Sequence, residues 1–249
     1  MDKFDRVDAF VRAVAGTKSE QELAELLAEI SGEMGFAHFA LTHHIDIRNA
    51  PHAAIRIHNY PAQWVQYFDD HKLGVSDPVH RASHMTSVGF AWSRLPTLVS
   101  LTARDQEVLA LAARSGLGDG FTIPANVPGE SNGSCSFATR IGVGLAEDHL
   151  PLAQLVGAFA FEAARRVERL RRPGLAPPPR LTDRQRDCVI LAARGKSDWE
   201  IAHILGISPE TVIQYLKRAR ARYGVASRTL LAVHALFDGT IAFLDVFTR

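Results

Sequence analysis

Apolar positions along this chain repeat with two periods, and the periods predict its elements. Asp5 to Val14 and Ser19 to Met34 carry apolar residues at helical spacing, with Leu23, Leu26, Leu27 and Ile30 on one face. Ser19 with Glu22 three places later signals a capping box. Phe36 to Leu41, Ala53 to His58 and Ser87 to Trp92 are short and bounded by turn residues, which predicts strands. Gln63 to Asp70, behind Pro61, and Thr102 to Ser115 predict helices. Gly120 to Asn126 and Ser134 to Ile141 predict a strand pair across a polar turn from Val127 to Gly133. Ala146 to Arg171 predicts one long helix. Its apolar stripe (Leu152, Leu155, Val156, Phe159, Phe161) belongs either to the core or to contact with a second copy.

Helices flanking a sheet of about five strands make an α/β/α sandwich with interior enough for a small ligand. The expected fold class is therefore α+β, an N-terminal sandwich over residues 1–171 followed by a small all-α unit of four helices over 181–249. Between them Arg172-Pro-Gly-Leu-Ala-Pro-Pro-Pro-Arg180 stops the long helix and forms a semi-rigid linker, 172–180.

In the C-terminal unit Thr182 caps a first helix that ends near Gly195, and a second runs from Ser197 or Asp198 to Leu205. Gly206 supplies a tight turn, Ser208 caps a third helix, and Pro209 takes its first position. Val212, Leu216 and Ala219 should face the core, with Val225 just beyond. Thr211, Ile213, Gln214, Lys217, Arg218 and Arg220 then lie on other faces, some of which must enter the major groove if this helix reads DNA. The cations reach phosphates or guanine edges, and Gln214 suits adenine. Ile213 either packs on a thymine methyl or is a scattered surface apolar residue. The apolar stretch Phe237 to Phe247 packs on this unit, meets a partner subunit, or extends the last helix past Gly239.

Charge strengthens the DNA reading. The net charge of the 249 residues is only +1, yet residues 181–249 hold ten Lys/Arg against seven Asp/Glu. The cations cluster between Pro209 and Tyr223, as Lys217, Arg218, Arg220 and Arg222 against Glu210. The two cysteines, Cys135 and Cys188, fall in different units, which argues for a reducing cytoplasm. No apolar run reaches membrane-spanning length, and the start, MDKFDRVDAF, is too polar for a signal peptide. No membrane partner is expected. His80 and His84 at i, i+4, with His43, His44, His52 and His58 on or near strands, raise the question of a metal. No HExxH and no second cysteine for a zinc set accompany them. With no GxSxG elbow and no phosphate-cradling loop, neither an enzyme nor a cofactor is expected.

The stretches LTDRQRDCVILAARGKSDWEIA, LGISPETV and YGVASR, within Leu181 to Arg228, resemble the helix-turn-helix domain of the LuxR family of bacterial transcription regulators. The chain departs from that pattern at Gln185, where Glu is usual, and at Tyr215, where His is frequent. Tyr60 and Trp64, placed i, i+4 on a short helix, then Asp77, Trp92 and Ser136, are singly ordinary core, turn or capping residues. Together they resemble the autoinducer-binding domain of the quorum-sensing branch, which binds N-acyl-homoserine lactones. That resemblance implies that the Trp64 indole donates to the lactone carbonyl and Asp77 accepts from the amide N–H. It also implies that Tyr60 and Ser136 bond the acyl carbonyl while Trp92 walls the ring. Where the family has Tyr, Phe68 stands here with Tyr67 beside it, so the acyl side is either more apolar or supplied by Tyr67. The whole then implies a homodimer bound to double-stranded promoter DNA. The alternative is an orphan regulator, an antagonist or a sensor of another small molecule.

Overall fold

Two chemically different faces of one antiparallel sheet organise the N-terminal unit. The computed structural model describes residues 3–45, 54–171 and 179–247. The chain divides into two compact units, Met1–Asn126 with Ser131–Pro173, and Val127–Glu130 with Gly174–Arg249. Most of the Pro-rich linker (172–178) and His52 lie outside the described residues.

The first unit runs α1 (Lys3–Ala15), α2 (Glu20–Glu33), β1 (His38–His43), β2 (Arg56–His58), α3 (Ala62–Asp70), α4 (Leu73–Ser76), α5 (Pro78–Ser83), β3 (Phe90–Ala91), α6 (Leu95–Leu98), α7 (Ala103–Arg114), β4 (Leu117–Ala125), β5 (Gly133–Arg140) and α8 (Leu150–Arg171). The sheet order is β2-β1-β5-β4-β3, all neighbours antiparallel. Side chains alternate across it. Phe39, Leu41, Ile57, Ile123, Cys135 and Phe137 point into the main core, closed by apolar residues of α1, α2 and α8. The opposite face carries Thr122, Ser136, Ala40 and His58, which are successive cross-strand partners in one row. Helices α3 to α7 cover that second face, and burying it partly polar creates the conditions for a site.

Several elements differ from expectation for local reasons. The strand expected over Ser87–Trp92 shrinks to Phe90–Ala91. The chain before it turns through a Thr86–Val88 hydrogen bond and gives the Gly89 N–H to Gln154, and a 3-10 turn starts at Trp92. Phe36 lies outside β1, and β2 begins only at Arg56. Glu22 does not close a capping box: Ser19 Oγ accepts the Glu22 N–H, but the Glu22 carboxylate takes the N–H of Lys18. Helices α4, α5 and α6 were not foreseen, because four to six residues are too few for a period to register.

The second unit contains α9 (Asp183–Ala193), α10 (Asp198–Leu205), α11 (Pro209–Tyr223), α12 (Arg228–Phe237) and a short α13 (Phe243–Phe247). Cys188, Val189, Ile201, Val212, Leu216 and Leu231 meet in its core. Gln185 is buried and keeps the α9 capping box intact, since its amide oxygen accepts the Thr182 N–H at 3.1 Å while Thr182 Oγ1 accepts in return. An amide therefore does the work expected of a carboxylate. Gly206 adopts φ +65°, the left-handed conformation that ends α10 and sets the turn into α11. The last stretch is tied to its own unit but only partly packed on it, with Phe237, Phe243, Leu244 and Phe247 exposed. Ile241 is buried, and Arg186 reaches the Asp245 carboxylate at 2.8 Å while Arg194 reaches its carbonyl at 2.7 Å. Among the described residues no helix is long and apolar enough to cross a membrane.

Candidate functional site

A cavity lies between the polar face of the sheet and α3, α5 and α7. It is lined by Tyr60, Trp64, Phe68, Asp77, Trp92 and Ser136, together with His58, Arg56 and apolar residues of α7. All six residues expected from the sequence thus reach one space. The cavity has a volume of about 70 Å³. The pocket is narrow as it stands.

Each side chain is positioned by its element. Trp64 is buried on the inner face of α3, and its indole N–H donates to no group among the described residues. Tyr60 is not on that helix: α3 starts after the cap Pro61, so Tyr60 and Trp64 converge from a strand end and a helix rather than from one face. Asp77 caps α5, with Oδ1 accepting from the N–H of Val79 at 2.8 Å and of His80 at 3.1 Å. Its second oxygen accepts from no described residue. Phe68 packs edge-on against Trp64 and His80. Tyr67 does not supply the hydroxyl that Phe68 lacks, because it stacks outside the cavity on His71 at 3.9 Å.

Ser136 and Trp92 are joined through a residue that sequence reasoning missed. The Trp92 indole N–H donates to Thr122 Oγ1 at 2.9 Å, and Thr122 Oγ1 lies 2.8 Å from Ser136 Oγ. Ser136 and Tyr60 both face the cavity. Burial, followed by the Asp77 charge, holds that phenol well above its usual range, so it stays protonated. Gly120 leaves room for Trp92: a Cβ there would fall 2.2 Å from the indole ring. Only strand register, which puts Thr122 opposite Ser136, could have exposed the missing link.

The histidines form a second polar group behind this wall. His44 Nδ1 lies 2.8 Å from His84 Nε2, His44 Nε2 lies 2.9 Å from Ser134 Oγ, and the His44 ring stacks on His80 at 3.8 Å. Burial first, then the charges of neighbouring imidazoles, lowers the pKa of His44 far below the ordinary value. His84 is lowered by burial and His80. His80 Nδ1 is engaged by the Gly74 carbonyl at 2.9 Å. Among the described residues no group of three such ligands is arranged to hold a metal.

On α11, Val212, Leu216 and Ala219 are buried, while Ile213, Gln214, Lys217 and Arg218 form one exposed face. Ile213 is 46% exposed, too open for a core residue. Thr211 is occupied at the cap, its N–H donating to Ser208 Oγ. Arg220 is turned to the helix end, where it donates to the Ala226 carbonyl at 2.8 Å. The exposed face therefore carries two free-standing cations, one amide and one apolar side chain.

The sequence and the fold both have known relatives. Residues 19–164 match the autoinducer binding domain, and residues 179–235 match the luxR family of bacterial regulatory proteins. The transcriptional activator protein AhyR of Aeromonas hydrophila is 27% identical over 91% of this chain and 88% of its own. The quorum sensing-dependent transcriptional regulator RpaR of Rhodopseudomonas palustris is 31% identical over 78% of each. The crystal structure of Escherichia coli SdiA is similar in fold, with a TM-score of 0.69 over 97% of this chain and 100% of that one, at 21% identity.

Proposed function

Because this chain belongs to the LuxR family of transcriptional regulators, with an autoinducer-binding domain and a LuxR-type DNA-binding domain, we propose that its ligand is an N-acyl-homoserine lactone and that it reads promoter DNA as a homodimer. Residues 1–171 bind the ligand, 172–180 act as spacer, and 181–249 bind DNA.

The observation that carries the lactone is a pair of unspent groups in one cavity, the Trp64 indole N–H and the free oxygen of Asp77. Both groups border the cavity, and a ligand that fills it must give each a partner, since a donor or acceptor cut off from water without one costs about 1–3 kcal/mol. In this pose the lactone carbonyl accepts from Trp64 while the amide N–H donates to Asp77. The acyl carbonyl accepts from Tyr60, backed by Ser136, with Trp92 along the ring and Phe68 along the chain. Leu155 and Phe159 on α8 stay exposed while Leu152, Val156 and Phe161 are core, so those two residues offer the contact to a second copy. Two copies of α11 then present Ile213, Gln214, Lys217 and Arg218 to half-sites about one helical turn apart.

A thermal-shift series with acyl-homoserine lactones tests this. Ligand at about 100 times Kd should stabilise the native state by about 2.7 kcal/mol. Asp77→Asn keeps an N-cap acceptor but loses the anion, so it should fold like the parent and lose at least about tenfold in affinity. An orphan regulator is the second reading. It is favoured by the narrow pocket and by the internally bonded Ser136–Thr122–Trp92 chain, which needs no ligand. No shift with any lactone, alongside intact DNA binding, would select it.

A further inference from the structure

The row Thr122–Ser136–Ala40–His58 runs straight across the polar face of the sheet, one residue per strand. Neighbouring strands are about 4.8 Å apart, so His58 lies roughly 10 Å beyond Ser136 and roughly 14 Å beyond Thr122. Ser136 lines the end of the cavity that holds Trp92, with Thr122 bonded to both. Ala40, the smallest side chain in the row, leaves the floor open between the two ends. At the far end the cavity wall is polar again. His58 lines it, and His58 Nδ1 is buried with no hydrogen-bond partner. Arg56, one row over on the same face, also lines the cavity and binds Asp69 through a single guanidinium nitrogen at 2.8 and 3.0 Å. Its remaining N–H groups donate to no described residue. A pocket made only for an alkyl tail would not place two underused polar side chains where that tail ends.

We propose that this cavity takes an acyl group bearing a neutral hydrogen-bonding oxygen, a hydroxyl or phenol, near its far end, received by His58 with Arg56 beside it. The inference rests on the lactone pose above, which fixes the head group at Trp64 and Asp77. Neutrality follows from the surroundings: the Arg56 charge is already balanced by Asp69, and a second anion would find no unpaired cation. Burial, then the Arg56 charge, lowers the His58 pKa, so the ring is neutral at ordinary pH and offers one donor and one acceptor. A hydroxyl can pair with Nδ1, whereas a methyl terminus leaves that nitrogen without a partner. Sites built to hydrogen-bond a group reject the analogue that lacks it far more sharply than apolar pockets sort methylenes.

The test is calorimetric titration of the full chain with matched ligands. These are hexanoyl-homoserine lactone against its terminal-hydroxyl analogue, and a phenylpropanoyl lactone against its para-phenol. In at least one pair the hydroxyl form should bind about tenfold tighter or more. His58→Leu should bring that ratio close to one, and His58→Gln, which keeps a donor and an acceptor, should retain most of it. If His58→Leu does not fold, the parent ratio and His58→Gln decide alone. Equal affinities within both pairs for the parent would overturn the distal oxygen while leaving the lactone reading intact. Absence of binding by all four ligands, together with no thermal shift from any lactone, would overturn both.

Discussion

Asp77 shows how one residue can satisfy two demands that its sequence context states only once. An Asp before Pro reads as an N-cap, and Oδ1 is one. The second oxygen, turned to the cavity, is a role that becomes visible only when Trp64, Ser136 and Tyr60 converge on it. Gln185 and Tyr67 teach the reverse. At Gln185 the departure from the family pattern proved silent, because an amide oxygen caps as a carboxylate does. At Tyr67, stacking on His71 removed a substitute that adjacency in sequence had offered. The histidines were legible only as a list, since nothing local brings His44 onto His80 and His84. They yield a prediction at this scale. Burial holds His44 neutral in the folded state, and the exposed His84 is shifted the same way, so the unfolded chain binds more protons as pH drops below about 6.5. This contribution is fully present above that pH and is lost on acidification, at up to about 1.4 kcal/mol per pH unit for His44, while solvent screens His84. The melting temperature should therefore fall between about pH 7.5 and about pH 5.5, and less steeply in His44→Gln. A flat profile in the parent would show that these rings accept protons without cost.

Among the elements, those with long clear periods were readable: α2, α7, α8 and the α9–α11 series lie within a few residues of their expected ends. What failed was short. Helix α5 owes its start to the Asp77 cap and β3 its end to Trp92 leaving the sheet, while α4 and α6 carry no side-chain cap and too few residues for a period. Here the close approach of β4 to Trp92 gives a sharp test. Gly120→Ala would drive a methyl into the indole, against a ring already fixed by Thr122. The domain should lose about 1–3 kcal/mol and its ligand-induced thermal shift, whereas Ala at a loosely packed glycine does neither. Recovery of parent-like ligand response in Gly120→Ala would mean that Trp92 is not part of the wall.

For the whole molecule, the sequence separated a basic C-terminal unit from a slightly acidic remainder before any fold was known. The exposed face of α11 narrows that charge to Lys217 and Arg218, with Arg220 engaged by Ala226. In DNA titrations over a range of salt, Lys217→Ala or Arg218→Ala should weaken binding on all sequences. Each should lower the log–log salt slope by about one. Arg220→Ala should change that slope less. Unchanged slopes for both Lys217 and Arg218 variants would move the interface to another face.

The Ser136–Thr122–Trp92 row has one fixed end. An indole nitrogen can give a proton but never take one, so Thr122 Oγ1, fully buried, is always an acceptor toward Trp92. Between Thr122 and Ser136 either hydroxyl can be the donor, because each oxygen keeps two lone pairs beside its one proton. The row is pinned at the indole and swivels toward the cavity. At its open end Ser136 can therefore meet a carbonyl as a donor or a hydroxyl as an acceptor, without any heavy atom moving.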